Sequence, residues 1–143
     1  MSEVSQQQHG GCECGGVRFH ISGVLKPVIV CHCGQCLRTH GHAAAYTVTT
    51  RSALTFEADQ TLKWYASSER VKRGFCGRCG ASLFYAINGD EEISVAAGML
   101  VPPTTLHTAG HIFTADKSDY YEITDGLPNF SEDCQTPEPS EGA

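Results

Sequence analysis

Apolar and polar residues alternate with a period of two along most of the chain, which is the pattern of strands that bury one face. Val17, Phe19 and Ile21, for example, alternate with Arg18 and His20. Similar segments, rich in residues that favour strands, lie at 28–30, 45–49, 54–56, 62–65, 83–87, 92–96 and 111–114. Because turn-forming residues separate nearly all of these segments, the pattern predicts an all-β protein of many short strands.

The same pattern predicts little helix and one folded domain. A short helical turn is expected at 35–39, where Gly41 would end it. Residues 1–9 and 132–143 contain too few apolar side chains to pack, so we expect two flexible tails, the second of them acidic. The folded domain is therefore predicted at 10–131.

The charge distribution excludes some classes of partner. The net charge of -6 arises mainly at the ends, since residues 12–130 contain all ten basic side chains and eleven of the sixteen acidic ones. The single local basic group, Arg70, Lys72 and Arg73, is explained by a solvated strand face, so we expect no nucleic-acid partner. No apolar run approaches the length of a membrane span and the first residues are polar, so we expect no membrane partner and a cytoplasmic location. A homodimer is compatible with the sequence.

Seven of the eight cysteines fall into three tight clusters, while Cys134 stands alone. The first is the C-x-C pair Cys12 and Cys14, the second is the C-x-C-x2-C run Cys31, Cys33 and Cys36, and the third is the C-x2-C pair Cys76 and Cys79. Such short spacings deliver several thiolates from one loop to a tetrahedral zinc ion. Because thiols stay reduced in the cytoplasm, we expect metal ligands here rather than disulfides.

The cluster sizes suggest two sites with different properties. The pairs Cys12/Cys14 and Cys76/Cys79 together make a closed four-cysteine site, which favours a structural zinc. Cys31, Cys33 and Cys36 would then hold a second zinc with one open position for water or a thiol.

Spacing leaves two alternatives open. The pairing could be crossed, with Cys31 and Cys33 joining Cys76 and Cys79. The second site could also be closed by a fourth ligand, for which the candidates are Cys134, His32, His40, His42 and His111.

Four motifs in order resemble the glutathione-dependent formaldehyde-activating enzyme family, which also includes centromere protein V-like proteins. They are GGCECGGVRF at 10–19, CHCGQC at 31–36, GFCGRCGASL at 74–83, and a late stretch comprising 111–113, Lys117, 121–123 and 127–130. The resemblance implies a β-tent of short antiparallel sheets joined by zinc. It also implies two zinc ions per chain, a structural one on Cys12, Cys14, Cys76 and Cys79 and a catalytic one on Cys31, Cys33 and Cys36, which favours this pairing over the crossed one.

The reference activity of that family is the formation or breakdown of S-hydroxymethylglutathione from glutathione and formaldehyde. The resemblance therefore implies a zinc-dependent carbon–sulfur lyase of small thiol adducts, with glutathione as the expected thiol. His42, beside His40, is a candidate for proton transfer near the second zinc. Arg38, Arg51 and Arg73 are candidates for binding the carboxylates of glutathione. The alternative function is a non-catalytic, zinc-stabilised β scaffold that binds other proteins.

Overall fold

Residues 7–133 are described by a computed structural model, in which they form ten strands and one α-helix. In chain order the elements are β1 (Gln7–Gly11), β2 (Val17–Ser22), β3 (Val28–Cys31), α1 (Gly34–His40), β4 (Ala44–Thr50), β5 (Leu54–Asp59), β6 (Leu62–Ala66), β7 (Val71–Cys76), β8 (Ser82–Ile87), β9 (Glu92–Ala96) and β10 (Thr108–Ile112). The all-β class with little helix is confirmed.

The eight predicted strand segments correspond to β2 through β6 and β8 through β10, and the predicted helical turn corresponds to α1. The last segment is displaced, because β10 ends at Ile112 rather than at residue 114. Phe113 adopts a left-handed backbone conformation with φ of 56°, and a 3-10 helix over Thr114–Asp116 follows it. Alternation alone cannot detect such a break, since the side chains on both sides of it remain apolar or β-branched.

The alternation of apolar and polar residues does not predict two of the strands, β1 and β7. β1 pairs antiparallel with β2 although its sequence is QQHGG, and it begins three residues before the predicted start of the domain. β7 contains Lys72 and Arg73 of the basic group for which a solvated strand face is predicted, yet Arg73 is buried. Its guanidinium lies 4.9 Å from the centre of the Tyr85 ring, so this cation is covered by an aromatic side chain.

The predicted single domain consists of two compact units, and one of the three boundaries between them along the chain falls within β4. Unit 1 comprises the chain through Lys26 together with Thr47–Thr105. It contains an antiparallel sheet in the order β1-β2-β5 and a second sheet in the order β4-β9-β8-β7-β6. The second tail prediction, at 132–143, lies almost wholly outside the described residues.

The core of unit 1 is aromatic at its centre. Val17, Phe19 and Ile21, which alternate along β2, are all completely buried, as the period of two predicted. The Phe19 ring lies 5.4 Å from that of Phe84, and Phe56 contacts the Phe84 ring edge-on at 5.7 Å. These rings join the two sheets of the unit, because Phe19 and Phe56 lie on the first sheet and Phe84 lies on the second.

Unit 2 comprises Pro27–Tyr46 together with the chain from Leu106 onward. Its strands follow the order β10-β3-β4, in which β3 pairs antiparallel with β4 and parallel with β10. The parallel pairing departs from the expected antiparallel sheets. A small core forms around Cys31, Cys36 and Ala44, and Tyr46 and Ile112 pack against it. Two of the cysteines of interest are therefore part of the apolar core of this unit.

Within the described residues, no helix is long and apolar enough to cross a membrane. The cytoplasmic location stays a prediction.

We predict that Gly10→Ala destabilises the fold. A Cβ atom at this position would lie 2.7 Å from Cζ of buried Phe19 and 2.9 Å from the carbonyl oxygen of Met99. Neither group can move freely, so the free energy of unfolding should fall by about 1–3 kcal/mol in chemical denaturation. Gly98→Ala is the matched control, because nothing lies within 4 Å of a Cβ there. Equal stability of the two variants would contradict the tight approach of β1 to Phe19.

Candidate metal centres

Four cysteine sulfurs converge in unit 1, and we call this group the four-cysteine cluster. Cys12 and Cys14 lie in the turn between β1 and β2, Cys76 is the last residue of β7, and Cys79 lies in the turn before β8. All four Sγ atoms lie within 4.8 Å of one another, and the Cys12–Cys14 and Cys14–Cys76 separations are both 3.7 Å. A tetrahedron with zinc–sulfur bonds of about 2.3 Å has edges of about 3.8 Å. The sulfurs are therefore already placed for a tetrahedral metal ion, and the crossed pairing does not occur.

Two glycines close the turns that present these sulfurs. The Gly15 N–H donates to the Cys12 carbonyl at 3.2 Å, and the Gly80 N–H donates to the Cys76 carbonyl at 2.9 Å. Both glycines have positive φ, 81° and 83°, a conformation that other residues adopt only with strain. The glycine positions thus allow the chain to fold back so that both sulfurs of each pair face one point.

Cys76 is surrounded by hydrogen-bond donors. Its sulfur receives the Thr61 hydroxyl at 3.2 Å and the backbone N–H groups of Arg78 and Cys79 at 3.3 Å each. These donors, with the Thr61 hydroxyl contributing most, lower the pKa of buried Cys76 to about 5. Hydrogen bonds to a thiolate favour the ionised form, which is the form that binds metal. Thr61 was missed by the sequence analysis because it lies far from every cysteine motif.

Cys14 is the exposed member of the cluster. The backbone N–H of Gly16 and the Nε of Arg78, which donates to the Cys14 sulfur at 3.3 Å, lower the pKa of its thiol. Cys12 differs, because burial raises the pKa of its thiol although the Val17 N–H donates to the sulfur at 3.3 Å. Arg78 therefore adds a cation to a site that would carry four negative sulfurs, which offsets part of their mutual repulsion.

Three further sulfurs converge in unit 2, and we call them the three-cysteine cluster. Cys31 ends β3, Cys33 is the N-cap of α1 and Cys36 lies in the first turn of that helix. The Cys36 N–H donates to the Cys33 sulfur at 3.3 Å, and all three Sγ atoms lie within 4.8 Å of one another. Cys31 and Cys36 are buried, whereas Cys33 is half-buried. The strand end and the helix start thus fix all three ligands, and Cys33 is the one nearest to solvent.

The acid–base properties of the three-cysteine cluster favour a cation. A hydrogen bond with Cys36, followed by burial, raises the pKa of Cys31. Thiolates at this separation repel one another, and a divalent cation between them would remove that repulsion and deprotonate a coordinating thiol. The donor set of three sulfurs in a dry setting therefore fits a soft metal ion such as zinc.

No fourth protein ligand joins this cluster among residues 7–133, since no other histidine, cysteine or carboxylate atom completes a group with the three sulfurs. Two of the candidate fourth ligands form hydrogen bonds with tyrosine hydroxyls. His40 Nε2 lies 2.8 Å from the Tyr46 hydroxyl, and His42 Nδ1 forms a short hydrogen bond with the Tyr120 hydroxyl. Cys134 lies outside the described residues.

The other two candidates, His32 and His111, use both ring nitrogens in one hydrogen-bonded chain. His32 Nδ1 lies 2.8 Å from the Tyr121 hydroxyl, and His32 Nε2 lies 2.9 Å from His111 Nδ1. His111 Nε2 in turn lies 2.8 Å from the Asp125 carboxylate. Both histidines are buried, with 3% and 6% of their surface exposed. Neither imidazole can therefore turn toward water without breaking these hydrogen bonds.

The hydrogen bonds from Tyr121 through His32 and His111 to Asp125 all point in one direction, from donor to acceptor. The backbone N–H of Leu127, and next His111, lower the pKa of Asp125, whose carboxylate therefore only accepts. His111 donates from Nε2 to this carboxylate, and its neutral tautomer then accepts at Nδ1 from His32 Nε2–H. Burial lowers the pKa of His32 and raises that of Tyr121, so a neutral His32 accepts at Nδ1 from the protonated phenol.

The three arginines predicted to bind substrate are placed differently. Arg38 lies exposed on α1, the helix that carries Cys36. Arg51 donates to the backbone carbonyls of Asp90 at 2.6 Å and Ile87 at 3.0 Å. Arg73 is buried against Tyr85, as described above. The guanidinium groups of Arg51 and Arg73 are thus used in the packing of unit 1, and the binding role of all three arginines stays a prediction.

The chain is similar to several known proteins. The model of the family described as glutathione-dependent formaldehyde-activating enzyme matches residues 7–116. An uncharacterised lyase of Schizosaccharomyces pombe (strain 972 / ATCC 24843) is 23% identical over 131 residues, which cover 89% of this chain and 93% of the relative. The crystal structure of a Rhodobacter sphaeroides protein is similar with a TM-score of 0.56 and 26% identity, over 66% of this chain and 91% of that one.

We predict that a variant ending at Asp133, which lacks Cys134, retains the full metal content of the native protein. The seven sulfurs that converge lie between positions 12 and 79, so none is lost. Cys79→Ser should instead lose one metal equivalent and more than about 3 kcal/mol of stability, because metal binding to a structural site adds directly to folding free energy. Elemental analysis and thermal denaturation measure both effects. Loss of a metal equivalent on truncation would mean that Cys134 closes the second site.

Proposed function

The chain belongs to the glutathione-dependent formaldehyde-activating enzyme family, and we propose that it is a zinc-dependent carbon–sulfur lyase of small thiol adducts such as S-hydroxymethylglutathione. The observation that carries this proposal is the three-cysteine cluster, which has three converging sulfurs and no fourth ligand among the described residues. A metal site with three protein ligands keeps a position for a substrate, whereas a site with four is closed. The lyase relative of Schizosaccharomyces pombe supports the reaction class.

We assign one zinc ion to each cluster. Cys12, Cys14, Cys76 and Cys79 would hold a structural ion, and Cys31, Cys33 and Cys36 would hold a catalytic one. A zinc ion held by the three-cysteine cluster would act as a Lewis acid. It would lower the pKa of a thiol or hydroxyl bound at its open coordination position. Cys33 is the least buried of the three ligands, so substrate would approach the ion from its side.

Breakdown of a hydroxymethyl thioether requires one proton transfer. The hydroxyl O–H bond breaks, a carbon–oxygen double bond forms, the carbon–sulfur bond breaks, and its electron pair leaves with sulfur as a thiolate. A base must take the hydroxyl proton, and formation of the adduct requires the same group as an acid.

His42 is our candidate for this group. Its ring is exposed and lies 4.7 Å from the Tyr121 ring, which in turn contacts His32 between two of the cysteines. The Tyr120 hydroxyl binds His42 Nδ1 and so holds the orientation of the imidazole.

Recognition of glutathione requires cations for its carboxylates, and we propose Arg38 as the first of them. Arg38 is exposed and shares α1 with the ligand Cys36, so its backbone is held relative to the three-cysteine cluster. Arg51 and Arg73 would first have to give up the carbonyl and aromatic contacts that they make in unit 1. The preferred partner is therefore a small anionic thiol.

We predict that the protein accelerates interconversion of glutathione, formaldehyde and their adduct at equilibrium. Exchange NMR would compare native protein, Cys33→Ser, Cys134→Ser and buffer alone, since the uncatalysed reaction is appreciable. We expect acceleration with native protein and with Cys134→Ser, and none with Cys33→Ser. If native protein with two bound zinc ions gives no acceleration, the lyase proposal fails and a non-catalytic zinc scaffold takes its place.

A separate prediction concerns His42. If its imidazole transfers the proton, His42→Asn should lower the exchange rate roughly 100-fold or more while leaving zinc content and folding unchanged. His107→Asn is the matched control, because His107 is another exposed histidine of unit 2 that precedes β10. Similar rates for the two variants would exclude His42 as the acid–base group.

A further inference from the structure

We propose that His111, Asp125 and Tyr121 are positioning residues of the three-cysteine cluster, which act through His32 to hold the loop that presents Cys31 and Cys33. The inference rests on the proposed metal site in unit 2, but not on the proposed reaction. It assigns a role to a polar network around the two buried histidines, His32 and His111, which supplies no ligand to the cluster.

His32 occupies a critical place in the chain, because it is the single residue between the first two ligands. β3 ends at Cys31 and α1 begins at Gly34, so residue 32 belongs to neither element. Its backbone N–H donates to the Ile112 carbonyl at 3.0 Å. Rotation about the backbone of His32 would change the direction of Cys33 relative to Cys31, and a second attachment through the side chain restricts that rotation.

The imidazole of His32 provides that attachment in two directions. Tyr121 lies on one side, with its ring stacked on that of His32 at 5.6 Å and its hydroxyl bonded to Nδ1. His111 lies on the other side, bonded to Nε2, and it is itself held in β10. The network therefore ties the ligand loop to two segments that follow it by 79 and 89 residues along the chain.

Asp125 makes the arrangement specific. Because a carboxylate can only accept, it selects the tautomer of His111 that carries the proton on Nε2. That tautomer leaves Nδ1 as an acceptor for His32 Nε2–H, and His32 Nδ1 then remains as an acceptor for Tyr121. Each of the four ring nitrogens has a partner, and removal of one partner would leave a buried nitrogen unsatisfied. The ring of His32 would then turn away, and the loop that carries Cys31 and Cys33 would lose its second attachment.

The test measures zinc affinity at both clusters of the full-length protein by competition with a chromogenic chelator. In His111→Ala we expect the weaker of the two dissociation constants to rise roughly 10- to 100-fold, as for residues that orient metal ligands, and the tighter one to stay unchanged. The cobalt-substituted protein should show a matching change in the absorption bands of its second metal equivalent. A role in folding alone would lower the melting temperature without moving either quantity.

His111→Asn is the matched rescue variant, since the asparagine side-chain oxygen can stand where Nδ1 accepts from His32. We expect the weaker zinc dissociation constant of His111→Asn to lie closer to the native value than that of His111→Ala does. His107→Ala should behave as native protein. If His111→Ala does not fold, Asp125→Ala replaces it and should weaken the same site, because the Asp125 side chain is 45% exposed and tolerates truncation.

The possible outcomes separate the two proposals. Native affinity and native cobalt bands in His111→Ala, or equal weakening in His107→Ala, would overturn the positioning role while leaving the lyase proposal intact. A native protein that binds a single zinc ion would overturn both the metal assignment in unit 2 and the inference that rests on it.

Discussion

Convergence of the Cys12, Cys14, Cys76 and Cys79 sulfurs is the constraint on which unit 1 depends. Cys14 and Cys76 are separated by 62 residues along the chain, yet their sulfurs lie 3.7 Å apart. To reach this point, the turn between β1 and β2 in one sheet must meet the end of β7 in the other. The aromatic contacts of Phe19 and Phe84 join the same two sheets in the interior. A small all-β unit has little core to spare, so a metal ion at the convergence point would contribute much of its stability.

The two clusters differ in how fully the protein surrounds their sulfurs. Donors from Thr61, Val17 and Arg78 point at the four-cysteine cluster, where they stabilise negative sulfur. The three-cysteine cluster instead lies in the apolar core of unit 2, and the Cys36 N–H on Cys33 is the backbone donor that caps its helix. A closed shell of donors suits a site that only holds structure. A site with fewer donors and one more accessible sulfur leaves room for an incoming ligand, which is why the proposed reaction is placed there.

Tyrosine hydroxyls pair with three histidines of unit 2. His32 binds Tyr121, His40 binds Tyr46 and His42 binds Tyr120. Each pairing engages a ring nitrogen of a histidine that the sequence offered as a fourth ligand of the three-cysteine cluster. The tyrosines therefore hold these imidazoles in hydrogen bonds of their own. Two of these pairings depend on the late segment of the chain, because Tyr120 and Tyr121 lie in it and pack against His42 and His32.

Local features of this protein could be read from the amino acids alone. The spacing within each cysteine cluster predicts which sulfurs share a loop, and alternation along β2 predicts its buried face, because both depend on neighbouring residues. β1 was invisible, since Gln7, Gln8 and the two glycines show no apolar face until β2 lies beside them. The tertiary structure alone decided that Arg73 is covered by Tyr85, that Thr61 donates to Cys76, and that His32 is held by His111. These contacts join residues far apart in the chain, and no local pattern records them, because their energies exist only once burial removes the alternative of hydrogen bonding to water.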